Sequence, residues 1–310
     1  MTLQQLRQVL TIAESNSMNE AAKKLFVSQP NLSATVREVE EELGITVFMR
    51  NNRGITVTAE GEEFLGYAKQ VVEQYHLLEN RYLNVESKKK FSVSMQHYSF
   101  AVKAFVQLAK EVGMDEYEFA VHETKTKEVI DNVKNLKSEI GVLYLSDFNE
   151  KVLRKLFKEC DIEFKELFTC NTYVYLWKKH PLAGKKVITL DDLQEYPCLT
   201  FEQGVNNSFY YAEEMMSTYE YKRVIKADDR ATMLNLMVGL NGFTLCSGII
   251  SEDLNGDDYA AIPLKESEKM HIGYIKHKGT KLSKLGEIYI DALKNYENKA
   301  VSYTHLRAHE

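Results

Sequence analysis

The sequence predicts an α/β protein in three parts: a small helix-turn-helix with a basic hairpin, one long helix, and a two-lobed α/β domain. Three observations carry this. Within the first 58 residues, two short helical stretches lead into a polar-faced helix and then two β-prone runs. An apolar heptad pattern follows, sustained for about three heptads from Phe64 to Val85. Beyond Lys88-Lys89-Lys90, strands alternate with helices twice over, and a late strand is placed to rejoin the first half.

Leu3, Leu6, Leu10 and Ala13 recur at helical spacing. Ser17-Met18-Asn19-Glu20 reads as a capping box opening a short second helix, in which Ala21, Ala22 and Leu25 permit close packing. Phe26-Val27 is the turn, and two helices joined this way before a third make helix-turn-helix construction. Ser28 caps the third helix, with Pro30 in its first turn, where no intrahelical N–H bond is lost. Leu32, Val36 and Val39 form its buried stripe. Gln29, Asn31, Ser33, Thr35 and Arg37 carry amides, hydroxyls and a guanidinium, groups that read base edges in a major groove. An ordinary surface helix is the other reading of this stretch taken alone.

Leu43-Gly44 ends the helix. Ile45–Phe48 and Ile55–Val57 read as a hairpin whose tip, Met49 to Gly54, carries Arg50 and Arg53, suited to phosphate. The whole chain has a formal charge of −6, which argues against nucleic acid. Local placement answers this. Residues 1–58 hold six Lys/Arg against six Glu, there is no acid from Ser28 to Arg37, and Glu38, Glu40, Glu41 and Glu42 all lie in the helix's C-terminal half. The expectation is modest affinity for double-stranded DNA and dependence on two copies binding together.

Thr58 is placed to cap a helix running to about Ser87. Phe64, Ala68, Val71, Tyr75, Leu78, Tyr82 and Val85 alternate at spacings of four and three, a seam for pairing with a second copy. A helix docked on its own domain is the competing reading.

Behind the lysine run, Phe91–Gln96, Tyr117–His122 and Ile140–Leu145 read as strands of a parallel or mixed sheet, with helices over residues 99–112 and around Val129, Ile130, Val133 and Leu136. The scheme repeats with strands at Tyr173–Trp177, Leu199–Phe201, Val224–Lys226 and Gly242–Leu245, and a helix through Met233 to Leu240. Met270–Lys276 reads as a strand returning to the first half, before a helix holding Leu285, Ile288, Tyr289, Ala292 and Leu293. Two α/β halves with a return crossing make two lobes with a cleft between them.

Residues 1–65 resemble the winged helix-turn-helix of LysR-type transcriptional regulators. The matching text is Ala21–Leu25, Val27-Ser28-Gln29-Pro30, Leu32-Ser33, Val36, Glu40–Gly44, Val47-Phe48, Arg50 and Thr56–Gly61. Asn31 stands where members typically carry a small residue, and Ala34 and Thr35 where a basic or amide residue is frequent. In the second part, His180-Pro181-Leu182-Ala183, Ile188–Leu193 and Met237–Phe243 resemble the family's second lobe, with Cys246-Ser247-Gly248 in place of its usual Leu-Pro.

The resemblance implies a winged helix-turn-helix at 1–58, a dimerisation helix at 59–88, and a periplasmic-binding-protein-like effector domain at 91–300. The first lobe would take in about 91–165 and 267–300, the second about 166–266. It implies a homodimer or homotetramer whose promoter binding is modulated by a small-molecule effector between the lobes. Ser99, just after the first strand, is the leading contact, because a hydroxyl and free N–H groups there suit a carboxylate or other anion. Thr124, Ser146, Phe201, Thr232 and Cys246 occupy comparable strand-end or helix-start positions. Phe209-Tyr210-Tyr211 reads equally as a lid or as surface.

At 310 residues, 44% hydrophobic and 27% charged, the chain has the length and composition of several globular domains. Met1 leads directly into helical periodicity without a secretory leader, and no apolar run approaches the roughly 20 residues of a membrane span. Cys160, Cys170, Cys198 and Cys246 are scattered without a CxxC pair, so a cytoplasmic setting is expected and neither metal nor other cofactor is called for. Two other classes remain: an enzyme on the α/β part, for which no GxSxG, phosphate loop or metal spacing is present, and a regulator sensing oxidation through Cys198 and Cys246 or Cys170. Residues 301–310 fit no packing pattern and read as a non-native tail, so His305 and His309 carry no weight.

Overall fold

The computed structural model describes residues 1–15, 17–51, 54–82, 88–113, 116–206, 208–250 and 252–297. The chain divides into two units, Met1–Ser87 and Lys88–Glu310.

In the first unit, α1 (Leu3–Ala13), α2 (Met18–Lys24) and α3 (Gln29–Leu43) close around Val9, Ile12, Ala21, Leu32, Val36 and Val39. Each helix start has its own cap. Thr2 and Gln5 bond reciprocally at α1, and Ser17 accepts from Glu20 N at 3.2 Å at α2. The Glu20 carboxylate meets Lys24 at 2.9 Å. Ser28 accepts from Asn31 N, and Gly44 ends α3 with a left-handed φ of 69°, which glycine adopts without steric cost.

The hairpin is β1 (Phe48–Asn51) and β2 (Gly54–Val57), paired antiparallel with Phe48 opposite Val57. It starts three residues later than the Ile45–Phe48 run suggested. The reason is Glu40, whose Oε1 accepts the N–H groups of Val47 at 2.7 Å and Phe48 at 3.0 Å and pins the chain to α3 before pairing begins. Met49–Asn51, expected in the tip, are therefore strand. Arg53 and the Arg50 side chain lie outside the described residues.

Thr58 Oγ1 donates to Thr46 O and accepts from Gly61 N at 2.9 Å, starting α4 (Ala59–Tyr82). A Cβ on Gly61 would lie 2.4 Å from Val47 O, so only glycine lets this turn approach the hairpin. Along α4 the expected seam divides. Phe64 and Ala68, with Val72, pack on Leu3, Leu6 and Leu10 of α1, because a spacing of four keeps 64, 68 and 72 on one face. Val71, Tyr75 and Leu78 remain exposed, at 51%, 38% and 55%. The Tyr82 side chain and Val85 lie outside the described residues.

In the second unit the chain forms β3 (Lys89–Met95), α5 (Ser99–Val112), β4 (Tyr117–Glu123), α6 (Thr126–Lys134), β5 (Ile140–Leu145), α7 (Glu150–Glu159) and β6 (Ile162–Asn171). It continues as β7 (Tyr173–Trp177), α8 (Leu190–Leu193), β8 (Cys198–Phe201), β9 (Val224–Ala227), α9 (Arg230–Leu240), β10 (Thr244–Cys246), α10 (Glu252–Asn255) and β11 (Tyr259–Pro263). It ends with β12 (Lys269–His277) and α11 (Lys284–Lys294).

The first lobe is a mixed sheet in the order β4-β3-β5-β12-β6, in which β3 runs parallel to β4 and β5, while β12 is antiparallel to β5 and β6. Every residue of β5 is buried, which is why it reads as a continuous apolar run. The second lobe joins the antiparallel β10-β7-β11 to the parallel pair β8-β9 through a bridge between Cys198 and Phe243. β12 lies in the first lobe's sheet, so the chain does return. The crossing is not at 165/166, however. β6 stays in the first lobe to Asn171, since its partner β12 pairs with it from Lys269 opposite Asn171 to His277 opposite Ile162, interrupted by one register shift at Leu167.

Candidate functional site

Two surfaces gather the sequence-predicted residues. On α3, Leu32, Val36 and Val39 are buried, while Ser28, Pro30, Asn31 and Arg37 are exposed and Gln29, Ser33 and Thr35 half-buried. Gln29 Nε2 donates to Ser33 Oγ at 2.9 Å, and Thr35 Oγ1 to Asn31 O at 3.2 Å. Two of the acids behind this face are engaged within the unit: Glu38 accepts from Gln5 Nε2 at 2.9 Å, and Glu40 holds the hairpin. What α3 presents ahead of them is an acid-free row of donors and acceptors on a rigid stripe, the chemistry that base edges require.

The second surface is a cavity of about 90 Å³ between the lobes, space for several waters. Of the six positions singled out for effector contact, Ser99, Phe201 and Cys246 line it. Ser99 opens α5, and neither its own N–H nor that of Phe100 has a hydrogen-bond partner among the described residues. Thr124, Ser146 and Thr232 do not line the cavity. Their hydroxyls serve local helix starts: Thr124 Oγ1 bonds the Glu128 carboxylate, Ser146 pairs with Asn149, and Thr232 Oγ1 donates to Asp229 Oδ2 at 2.7 Å. Strand-end position signals capping as readily as ligand contact.

The strand-end rule missed the cavity's acids. His97 stacks on Phe201 with ring centroids 3.6 Å apart and planes 5° from parallel. Its N and Nδ1 both meet Glu213 Oε2, at 2.9 and 2.8 Å, and Gln203 Nε2 donates to Glu213 Oε1 at 2.9 Å. Glu214 Oε1 accepts from Phe201 N at 2.8 Å. Burial, with the Glu213 charge beside it, pushes the Glu214 carboxyl up to about 8. The Phe209–Tyr211 turn belongs to the same join: Tyr210 stacks on Phe148, and Tyr211 O accepts from Thr126 Oγ1 at 2.7 Å. Gln203 Oε1 takes Thr126 N at 3.1 Å, and Lys125–Asp228 (3.4 Å) and Glu123–Arg230 are ion pairs across the lobes.

Burial pushes the thiols of Cys170 and Cys246 up to about 12, and raises those of Cys160 and Cys198. A redox-reactive cysteine needs a lowered value, so these environments oppose the oxidation-sensing alternative. Among the described residues no helix is long and apolar enough to cross a membrane, and no group of three metal-ligating side chains occurs.

A helix-turn-helix with an exposed, acid-free helix face, and a two-lobed domain around a cavity, define a class: DNA-binding proteins that respond to a small molecule. Comparison with known proteins makes the class specific. Residues 3–62 match the bacterial regulatory helix-turn-helix of the lysR family, and residues 96–297 match the LysR substrate-binding domain. The chain belongs to the LysR family of DNA-binding transcriptional regulators, whose second domain binds an effector. It is 25% identical over 306 residues to the HTH-type transcriptional regulator CysL of Bacillus subtilis, covering 95% of this chain and 97% of that one. It is 26% identical over 247 residues to BsdA of the same organism, 76% of this chain and 80% of the relative. A full-length OxyR cysteine variant from Pseudomonas aeruginosa superposes with a TM-score of 0.70 over 95% of both chains at 19% identity, which is a likeness of fold.

Proposed function

We propose that residues 1–58 bind promoter DNA with α3 in a major groove. Gln29, Asn31, Ser33, Thr35 and Arg37 would face the bases, Ser28 and Pro30 set the helix start, and Arg50 and Arg53 meet phosphate. The observation that carries this reading is the exposed, acid-free half of α3 on its buried Leu32-Val36-Val39 stripe. Residues 59–88 pair with a second copy through the exposed Val71, Tyr75 and Leu78, placing two reading helices on one face of the duplex. The domain at 91–300 binds an effector in the cleft, in contact with Ser99, Phe201 and Cys246. Closure of the lobes then shifts the linker helices and with them DNA affinity. The protein acts in the cytoplasm as a regulator and not as an enzyme.

Mobility shift on duplexes selected from a random pool, repeated with increasing salt, tests the DNA reading. Gln29→Ala and Arg37→Ala should weaken selected duplexes more than random ones. Absence of sequence-selective retention at every salt concentration refutes it. For the cleft, a ligand at about 100 times its dissociation constant adds about 2.7 kcal/mol of stability, so a thermal-shift screen reads occupancy directly.

A further inference from the structure

The turn between α2 and α3 holds a side chain that the fold does not use. Leu25 caps the end of α2, Val27 N donates to Ala22 O at 3.0 Å, and Phe26 N donates to Lys23 O at 3.3 Å. These two bonds make a Schellman stop, whose left-handed residue is ordinarily glycine. Here that residue is Phe26, at a φ of 55°. Its neighbours Leu25 and Val27 both pack on the core of the first unit, and between them Phe26 turns outward to 96% exposure.

A lone exposed apolar side chain is ordinary on a protein surface. A bulky one held at positive φ is a backbone outlier. Among the described residues the other apolar side chains at positive φ are Leu136 and Met216; both are half-buried, and Met216 packs on two hydrophobic clusters of the second unit. At Phe26 the fold gains no such packing in return for the strain. Glycine would serve the turn better, so what phenylalanine supplies lies outside the chain.

Its place in the fold says what that is. Phe26 precedes Gln29 by three residues, so their Cα atoms lie within about 11 Å of each other. The acid-free run at the start of α3 extends back past Phe26 to Ala21 and takes in Lys23 and Lys24. A helix that reads a major groove contacts the bases by its N-terminal residues, which brings the preceding turn to the mouth of the groove. A phenyl ring can form no conventional hydrogen bond there, and the apolar group that the major groove offers it is the C5-methyl of thymine.

We propose that Phe26 is a specificity-determining residue: its ring packs on a thymine methyl beside the bases read by the start of α3, and sets a preference for thymine at that position. This rests on reading α3 as the groove helix.

The test uses the full-length protein and duplexes that it selects from a random pool, with each thymine replaced in turn by deoxyuridine. That exchange removes the methyl and keeps the base pair. Wild type should lose affinity by about three- to fivefold at one or two positions of the selected site. Phe26→Gly should weaken the unmodified selected duplex by about three- to tenfold and random duplexes by less than about twofold, and should no longer distinguish thymine from deoxyuridine at those positions. Because glycine suits the left-handed turn, the variant's Tm should equal or exceed that of wild type. A lower Tm would mean that Phe26 serves the fold, and overturns the proposal. So does equal weakening on selected and random duplexes, which marks a sugar–phosphate contact, and so does a deoxyuridine effect that is absent from wild type or persists in the variant. Gln29→Ala and Arg37→Ala in the same assay keep the two readings apart. If they lose selectivity while Phe26→Gly and deoxyuridine change nothing, the groove reading stands and the role of Phe26 falls; absence of selective retention by wild type overturns both.

Discussion

Glu214 makes the stability of the second unit depend on pH in a direction that can be worked out. Its carboxyl titrates near 8 in the folded protein and near the ordinary 4.5 when unfolded. Below about 4.5 it is protonated in both states and costs nothing. As pH rises from there toward 8, the unfolded chain gives up a proton that the folded chain keeps. The unfolded state then binds fewer protons, and stability falls with rising pH. The gap, at about 1.4 kcal/mol per pH unit, sets a ceiling of about 5 kcal/mol, or about 10–20 °C in Tm for a unit of this size. Glu214→Gln is the perturbation: the amide keeps an acceptor for Phe201 N and cannot ionise. Tm of wild type and variant should be followed by calorimetry from pH 4.5 to 8.5. The two should nearly coincide at the acid end and diverge as pH rises, with the variant the more stable. Parallel curves across that range would mean that Glu214 is ionised in the folded state, refuting a neutral acid in the cleft.

Three further outcomes can be checked on the first unit. Gly61→Ala forces a Cβ to within 2.4 Å of Val47 O and should cost about 1–3 kcal/mol of that unit's stability, read as an earlier thermal transition with weaker DNA retention. Glu40→Ala strands the N–H groups of Val47 and Phe48; it should weaken DNA binding about tenfold through the hairpin, while Glu40→Gln, which keeps the acceptor oxygen, should restore most of it. Leu78→Glu places a charge on the exposed stripe of α4 and should lower assembly state by sedimentation without moving Tm; an unchanged sedimentation coefficient would assign that stripe no part in pairing.

The elements that local chemistry decides could be read from the sequence. Ser28, Pro30 and Gly44 bracket α3 by capping and backbone conformation, and β5 announces itself by burial on both faces. The hairpin start was misplaced because its determinant, Glu40, acts from seven and eight residues away. β6 escaped because an edge strand with Glu163, Lys165 and Glu166 toward solvent has no clean alternation. On α4, the residues Phe64 and Ala68 satisfy both a heptad and a spacing of four, and only the position of α1 decides that Val72 completes the buried set. The cleft was half legible. Ser99, Phe201 and Cys246 follow from their places at strand and helix ends, but Glu213 reaches His97 across 116 residues of chain, and Tyr175 meets Thr244 only through the β7–β10 pairing. No spacing rule connects such positions.

Coupling between a bound molecule and lobe closure requires groups that belong to both, since a ligand shifts an equilibrium only by its differential interaction with the two states. Lys125–Asp228 and Thr126–Tyr211 hold the lobes together but lie outside the cavity lining. His97, Phe201 and Glu213 line the cavity and also make the cross-lobe stack and the bonds to Glu213. A ligand that presses on Phe201 therefore acts on the join itself. His97→Ala removes the stack, a contribution of about 0.5–1.5 kcal/mol, together with the Nδ1 bond to Glu213, while leaving the outer ion pairs in place. It should speed hydrogen exchange at residues 201–214 without changing exchange in β5. Equal exchange in both proteins would show that the outer contacts alone set closure, and that the ligand must work through them.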